Sequence, residues 1–112
     1  MDVELFFEEL YRNFNERNIE QVIAAMTPDV KWANGLEGGY VYGQEGVRTY
    51  WARQFEVVSS KVIPTAYKVG NGYVTVQVHQ IIHDVKGNLL ADEMVCHGFY
   101  LESGKIERFE IV

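Results

Sequence analysis

Cysteine is nearly absent: Cys96 is the only one in 112 residues. It has no partner for an internal disulfide, and no pair exists from which to build a zinc or redox site. Clustered positive charge is absent as well. Ten Lys and Arg oppose sixteen Asp and Glu, for a formal net charge of −6, and the densest basic stretch, Arg48 to Arg53, holds only two charges. Recognition of phosphates depends on grouped cations that displace counterions, so neither nucleic acid nor an anionic membrane surface is an expected partner. No run approaches the ~18 apolar residues of a membrane span. The start, Met1-Asp2-Val3-Glu4, is acidic where a secretory leader is basic. The expectation is a soluble, cytoplasmic chain. No cofactor motif is present, so none is implied.

Aromatic residues, by contrast, are plentiful. Seven Tyr, six Phe and two Trp sit in a composition that is 47% hydrophobic, ample for one packed core and more than a dry core needs. The chain is read as a single domain over residues 1–112. Val3, Phe6, Phe7, Leu10 and Phe14 recur at spacings of three and four, which places them on one helical face. Asn18 is an N-cap candidate with Gln21 as its capping-box partner. Ile19, Val22, Ile23 and Met26 form a second helical stripe that Thr27-Pro28-Asp29 ends. Val30 to Asn34 reads as a short strand with Val30, Trp32 and Asn34 on one face. A glycine-rich loop follows, and from Gln44 a third helix carries Val47, Tyr50, Trp51, Gln54, Phe55 and Val58. After that the period becomes two. Lys61–Val69, Tyr73–His83, Leu89–Leu101 and Lys105–Ile111 are strands joined by Asn71-Gly72, Lys86-Gly87 and Ser103-Gly104, and Pro64 marks an edge or a bulge. Helices first and a hairpin meander afterwards predict an α+β domain.

The order of these elements, and four local sequences, resemble the nuclear transport factor 2-like superfamily and within it the SnoaL-like and ketosteroid-isomerase-like domains. The carriers are Phe14-Asn15 ahead of Asn18-Ile19-Glu20, Met26 through Trp32, Gly43 leading to Tyr50-Trp51, and His97 through Leu101 running into Ser103-Gly104-Lys105-Ile106. The resemblance spans the whole chain. It implies a cone-shaped, cystatin-like fold in which the N-terminal helices pack in the concave face of a curved antiparallel sheet and enclose one small-molecule pocket. It speaks less to function, because the fold carries isomerases, dehydratases, epoxide hydrolases, cyclases and proteins with no catalysis.

Ketosteroid isomerases use an Asp base and an oxyanion hole made of a Tyr and a protonated Asp. By the resemblance these positions fall on Asn34, Leu10 (one residue from Tyr11) and His97. All three differ, and an amide cannot abstract a proton, so that mechanism is not expected here. His97 shares strand parity with Val95, Phe99 and Leu101, the inward face. It is the catalytic candidate, with titration expected to alter binding between roughly pH 5 and 8; the alternative is a core His satisfied by one hydrogen bond. Asn34 either orients a ligand from the pocket floor or simply forms the turn that Asn34-Gly35 favours. Gln80 has the parity of Val74, Val76, Val78 and Ile82 and so points inward, unless a bulge near Lys86-Gly87 reverses the relation to the next strand.

Trp32, Tyr50, Trp51 and Phe55 form either an aromatic ligand cage, with Phe99, or core packing. Glu37 and Asp92 are acid or base candidates. His79 and His83, four residues apart on a strand, are ~13 Å apart, too far to share one metal ion. The resulting function is a pocket for a small apolar or amphipathic molecule. It serves acid–base catalysis of an isomerase-, cyclase- or dehydratase-like kind, or binding without turnover, or it is vestigial in a domain whose role is stability or dimeric assembly. Met94 and Tyr100 on the outer sheet face suggest a homodimer interface.

Overall fold

The computed structural model describes residues 2–112. Helix α1, Val3–Asn15, starts where the Asp2 carboxylate accepts the Leu5 backbone N–H at 3.0 Å, filling one of the orphan donors of a first turn. Its inward face is Phe7, Leu10 and Tyr11. Helix α2, Ile19–Ala24, is only six residues long, and Asn18 at its N-cap makes no side-chain capping bond. The Asn18 amide donates instead to Asn13 and Glu16, so the expected capping box does not form.

Strand β1, Met26–Ala33, begins almost at once, four residues before the expected start, and takes in Pro28. The proline is accommodated because the pairing register shifts between Met26 and Lys31; a missing N–H is tolerated at such a bulge. The glycine-rich loop holds a further short strand, β2, Tyr40–Tyr42, which pairs back on β1. Helix α3, Gly43–Val57, then runs without a loop into β3, Val58–Val69, so that strand starts three residues before the apolar pattern suggested. The meander continues as β4, Tyr73–Asp84, β5, Leu89–Glu102, and β6, Lys105–Ile111.

The six strands form one curved, unclosed sheet in the order β2-β1-β6-β5-β4-β3. Every neighbouring pair is antiparallel except β1 and β6, which run parallel. The chain reaches β1 from the helices and β6 from the meander, so the two strands enter the sheet from the same end. As anticipated, Pro64 lies on the edge strand β3 beside a register shift between Pro64 and Ala66. Helix α1 packs on β3 and α3 on β1. Two polar residues at the end of α1 fasten the first of these contacts. The Asn15 amide donates to the Val62 carbonyl at 2.7 Å, and its oxygen accepts the Val62 N–H at 2.9 Å. The Arg17 guanidinium donates to the Ser60 carbonyl at 2.7 Å and lies 4.2 Å from the Phe55 ring centroid. The core is filled by Phe7, Met26, Val30, Val47, Val76 and Val78, all fully buried.

Candidate functional site

Between α1, α3 and the concave sheet face lies a cavity of about 130 Å³. Its aromatic wall comes from three strands and a helix. Trp32 stacks on Phe109 with ring centroids 4.2 Å apart and meets Trp51 edge-on at 5.3 Å, while Phe99 sits 5.2 Å from Phe109. Leu36 and Ile111 line the cavity and are about half exposed, at 47% and 49%, which marks the mouth. Among the described residues no Asp, Glu, Lys or Arg lines it. Charge inside so small an apolar space would be strongly penalised, and an uncharged occupant is what the walls suit.

The polar centre is a pair. Tyr11, from α1, and Nδ1 of His97, from β5, are 2.9 Å apart in a buried hydrogen bond, their rings 10° from parallel. Burial holds His97 down to about 4 and, as the largest cause, pushes the Tyr11 phenol well above its usual value. Both groups are therefore neutral at pH 7, and one proton lies between them. If Tyr11 donates to Nδ1, the imidazole carries its other proton on Nε2 and offers a donor there. If Nδ1–H donates to the phenol oxygen, the Tyr11 O–H becomes the free donor and Nε2 an acceptor. The pair can thus meet a ligand carbonyl or a ligand hydroxyl without creating charge. The pH window expected from the sequence, roughly 5 to 8, moves down to around 4, because burial disfavours the charged ring.

Six of the eight residues singled out from the sequence line this cavity: Trp32, Tyr50, Trp51, Gln80, His97 and Phe99. The bulge in the β4–β5 pairing falls between Ile82 and His83, beyond Gln80, so the parity argument for Gln80 survives. Tyr50 also accepts the Gly35 N–H at 3.1 Å, tying the β1–β2 loop to α3. Two assignments require correction. Asn34 lies past the end of β1, and its side-chain oxygen accepts the Leu36 and Glu37 N–H groups at 3.1 and 3.0 Å. It closes the turn and does not reach the cavity. Phe55 is rotated toward the end of α1, where it packs on Phe14 and beneath Arg17; Trp51, one turn earlier, occupies the cavity face instead.

Neither carboxylate candidate reaches the cavity. Glu37 is in the exposed turn, and Asp92 pairs with His79 on the outer face. Among the described residues no three His, Cys, Asp or Glu come together as a metal site.

Tyr11 and Ser60 line the cavity and were missed. Tyr11 is four residues after Phe7 and three before Phe14, a spacing that places it on the same helical face. Ser60 interrupts the inward series Val58, Ser60, Val62, a signal lost when the strand is started at Lys61.

Several solved structures share the fold. No curated protein matches the sequence. A nuclear transport factor 2-like protein of unknown function from Burkholderia pseudomallei superposes with a TM-score of 0.87 at 22% identity, over 97% of this chain and 88% of that one. TerC, crystallised with polyporic acid, gives 0.84 at 24% identity over 96% and 87%. An epoxide hydrolase from Mycobacterium tuberculosis gives 0.79 at 17% over 95% and 77%. At these identities the likeness is one of fold. The sequence itself matches the model of the SnoaL-like domain over residues 7–109, from the inward face of α1 to the aromatic wall of β6, and the chain therefore belongs to the SnoaL-like domain family.

Proposed function

We propose that the cavity binds a flat, uncharged, largely apolar small molecule, and that Tyr11 and His97 hold its polar group. The observation that carries this reading is a neutral Tyr–His hydrogen bond set into an aromatic cavity whose walls bear no charge. A dry apolar cavity of about 150 Å³ accommodates benzene. The space here, about 130 Å³, is of similar size and suits a single ring, and a larger ligand extends past Leu36 and Ile111. The crystallisation of TerC with polyporic acid supports small-molecule binding in this fold.

A second reading, acid–base catalysis, has the epoxide hydrolase neighbour in its favour and a pair that can exchange donor and acceptor ends. An imidazole held down to about 4 is a weak base at neutral pH, however, and general-base efficiency peaks when the pKa lies near the working pH. Binding is the better-supported role. Self-association through the outer sheet face is part of the same proposal, with Met94 exposed there and Tyr100 packed against Tyr73.

Titration calorimetry with beta-naphthol tests the pocket. Tyr11→Phe keeps the ring and removes the hydroxyl, and should weaken binding about tenfold, the effect of one buried hydrogen bond. Affinity unchanged by Tyr11→Phe, or chemical-shift changes away from Trp32 and Phe99, would refute the reading.

A further inference from the structure

The mouth of the cavity is built from three elements that meet at Gly35. The Tyr50 hydroxyl, from α3, accepts the Gly35 N–H at 3.1 Å. A Cβ placed on Gly35 would lie 3.2 Å from Cδ1 of Ile111, the last residue of β6, and 4.0 Å from the Tyr50 hydroxyl. Gly35, Tyr50 and Ile111 all line the cavity, so the hydroxyl end of Tyr50, and not its ring alone, stands at the opening. The hydrogen bond to Gly35 is exposed, which puts the hydroxyl within reach of a ligand.

Only the acceptor side of this hydroxyl is engaged. Among the described residues nothing accepts its proton. Burial raises the Tyr50 phenol above its usual value, against the opposing pull of the Gly35 and Leu36 N–H groups. The proton is therefore held through neutral pH, and Tyr50 is a donor. Accepting an N–H polarises the O–H and strengthens it in that role.

The inner polar pair is close by in register. Ile111 is level with His97 in the β5–β6 pairing, and side chains facing each other across an antiparallel pair start ~5 Å apart on one face. From the Tyr11–His97 pair to the Tyr50 hydroxyl the path crosses one strand spacing and the length of the Ile111 side chain, on the order of 10 Å. A ring carrying an oxygen at each end, with a hydrogen bond of ~2.8 Å at either side, covers that span. Leu36, Tyr50 and Gln54 also line an open groove of about 640 Å³ outside the mouth, so a substituent beyond the second oxygen has room to continue.

We propose that Tyr50 is a specificity-determining residue: it donates to an acceptor at the mouth end of the ligand, so the cavity selects a phenol that carries an acyl group para to its hydroxyl. The phenol meets Tyr11 and His97, and the carbonyl oxygen meets Tyr50. This rests on the reading of the cavity as a ligand pocket.

The probes are 4-hydroxyacetophenone and 4-isopropylphenol, which match in shape and differ in the carbonyl oxygen. Titration calorimetry is done in mildly acidic buffer, where both phenols keep their protons and His97 is still neutral. Tyr50→Phe keeps the ring and removes the donor, and should lower the affinity for the ketone relative to the alkylphenol by about three- to tenfold. Loss of the Gly35 hydrogen bond also loosens the β1–β2 loop, but that falls on both ligands and cancels in the ratio. Tyr11→Phe should weaken both ligands alike. In the wild-type protein, nuclear Overhauser contacts should place the acetyl methyl against Leu36 and Ile111 and the ring against Trp32 and Phe99.

A ratio unchanged by Tyr50→Phe overturns this inference while the pocket reading stands. So does a ratio that Tyr11→Phe lowers, since the carbonyl would then sit on the inner pair. If Tyr50→Phe does not fold, the wild-type contacts decide: an acetyl methyl against Phe99 instead of Ile111 overturns the inference. Failure of both probes to bind, or binding of both indifferent to Tyr11→Phe, overturns the pocket reading itself.

Discussion

Replacing His97 with Gln should remove most of one acid-sensitive component of stability while keeping a side chain that can accept a hydrogen bond from Tyr11. Around the imidazole stand Tyr11 from α1, Phe99 from its own strand and Phe109 from β6, and no charged side chain among the described residues offsets its burial. Burial holds the ring down to about 4 in the folded chain, against an ordinary 6.5.

The unfolded chain therefore binds the proton first as the pH falls. The stability that neutral His97 confers is complete above pH 6.5, declines from there to about 4, and falls no further below. At ~1.4 kcal/mol for each pKa unit, that interval corresponds to about 3 kcal/mol, a sizeable part of the ~5–15 kcal/mol that keeps a domain folded. Urea unfolding of wild type and His97→Gln at several pH values from 7 to 4 measures it. Glu20 and Asp84, held below the usual carboxylate range by hydrogen bonds from Arg48 and Asn88, also titrate in acid, but equally in both proteins, so they cancel in the difference. The gap between the two proteins should shift in favour of the variant by about 3 kcal/mol on acidification. A gap that stays constant from pH 7 to 4 would refute the assignment of His97 as a buried neutral group.

Asn15→Ala removes both hydrogen bonds to Val62 and should destabilise the fold by about 2–3 kcal/mol; chemical denaturation, with faster amide exchange at Val62, would show it, and a loss under ~0.5 kcal/mol would contradict the clamp. A β,γ-unsaturated ketosteroid should not be isomerised above the buffer rate, since Asn34 is tied into its turn and no carboxylate among the described residues lines the cavity. Turnover that is lost on mutating a single acid would reveal a base that this geometry does not supply. Sedimentation should detect a dimer at micromolar concentration that Met94→Glu weakens, and a monomer at high concentration would argue against the outer face as an interface.

The α+β class and the order of helices and hairpins were legible in the residues because they follow from local rules. The apolar spacing of Phe7, Leu10 and Phe14 demands a helix, the alternation of Val74, Val76 and Val78 demands a strand, and Asn71-Gly72 and Ser103-Gly104 demand tight turns. The inward faces of His97 and Gln80 were legible for the same reason, since parity along a strand persists until a bulge breaks it.

What parity and period cannot express is where an element ends and which neighbour it then faces. Asn34 has the parity of Trp32, but the strand stops at Ala33 and the side chain turns to cap its own loop. Phe55 belongs to the aromatic face of its helix, yet the end of α1 lies against it and Trp51 takes the cavity. The parallel pairing of β1 with β6 brings together segments more than seventy residues apart. The partnership of Tyr11 with His97 joins residues 86 positions apart. No local pattern encodes such meetings; they exist only once the curved sheet has wrapped the helices. The same closure lowers the proton affinity of His97, because desolvation belongs to the enclosed space and not to the residue.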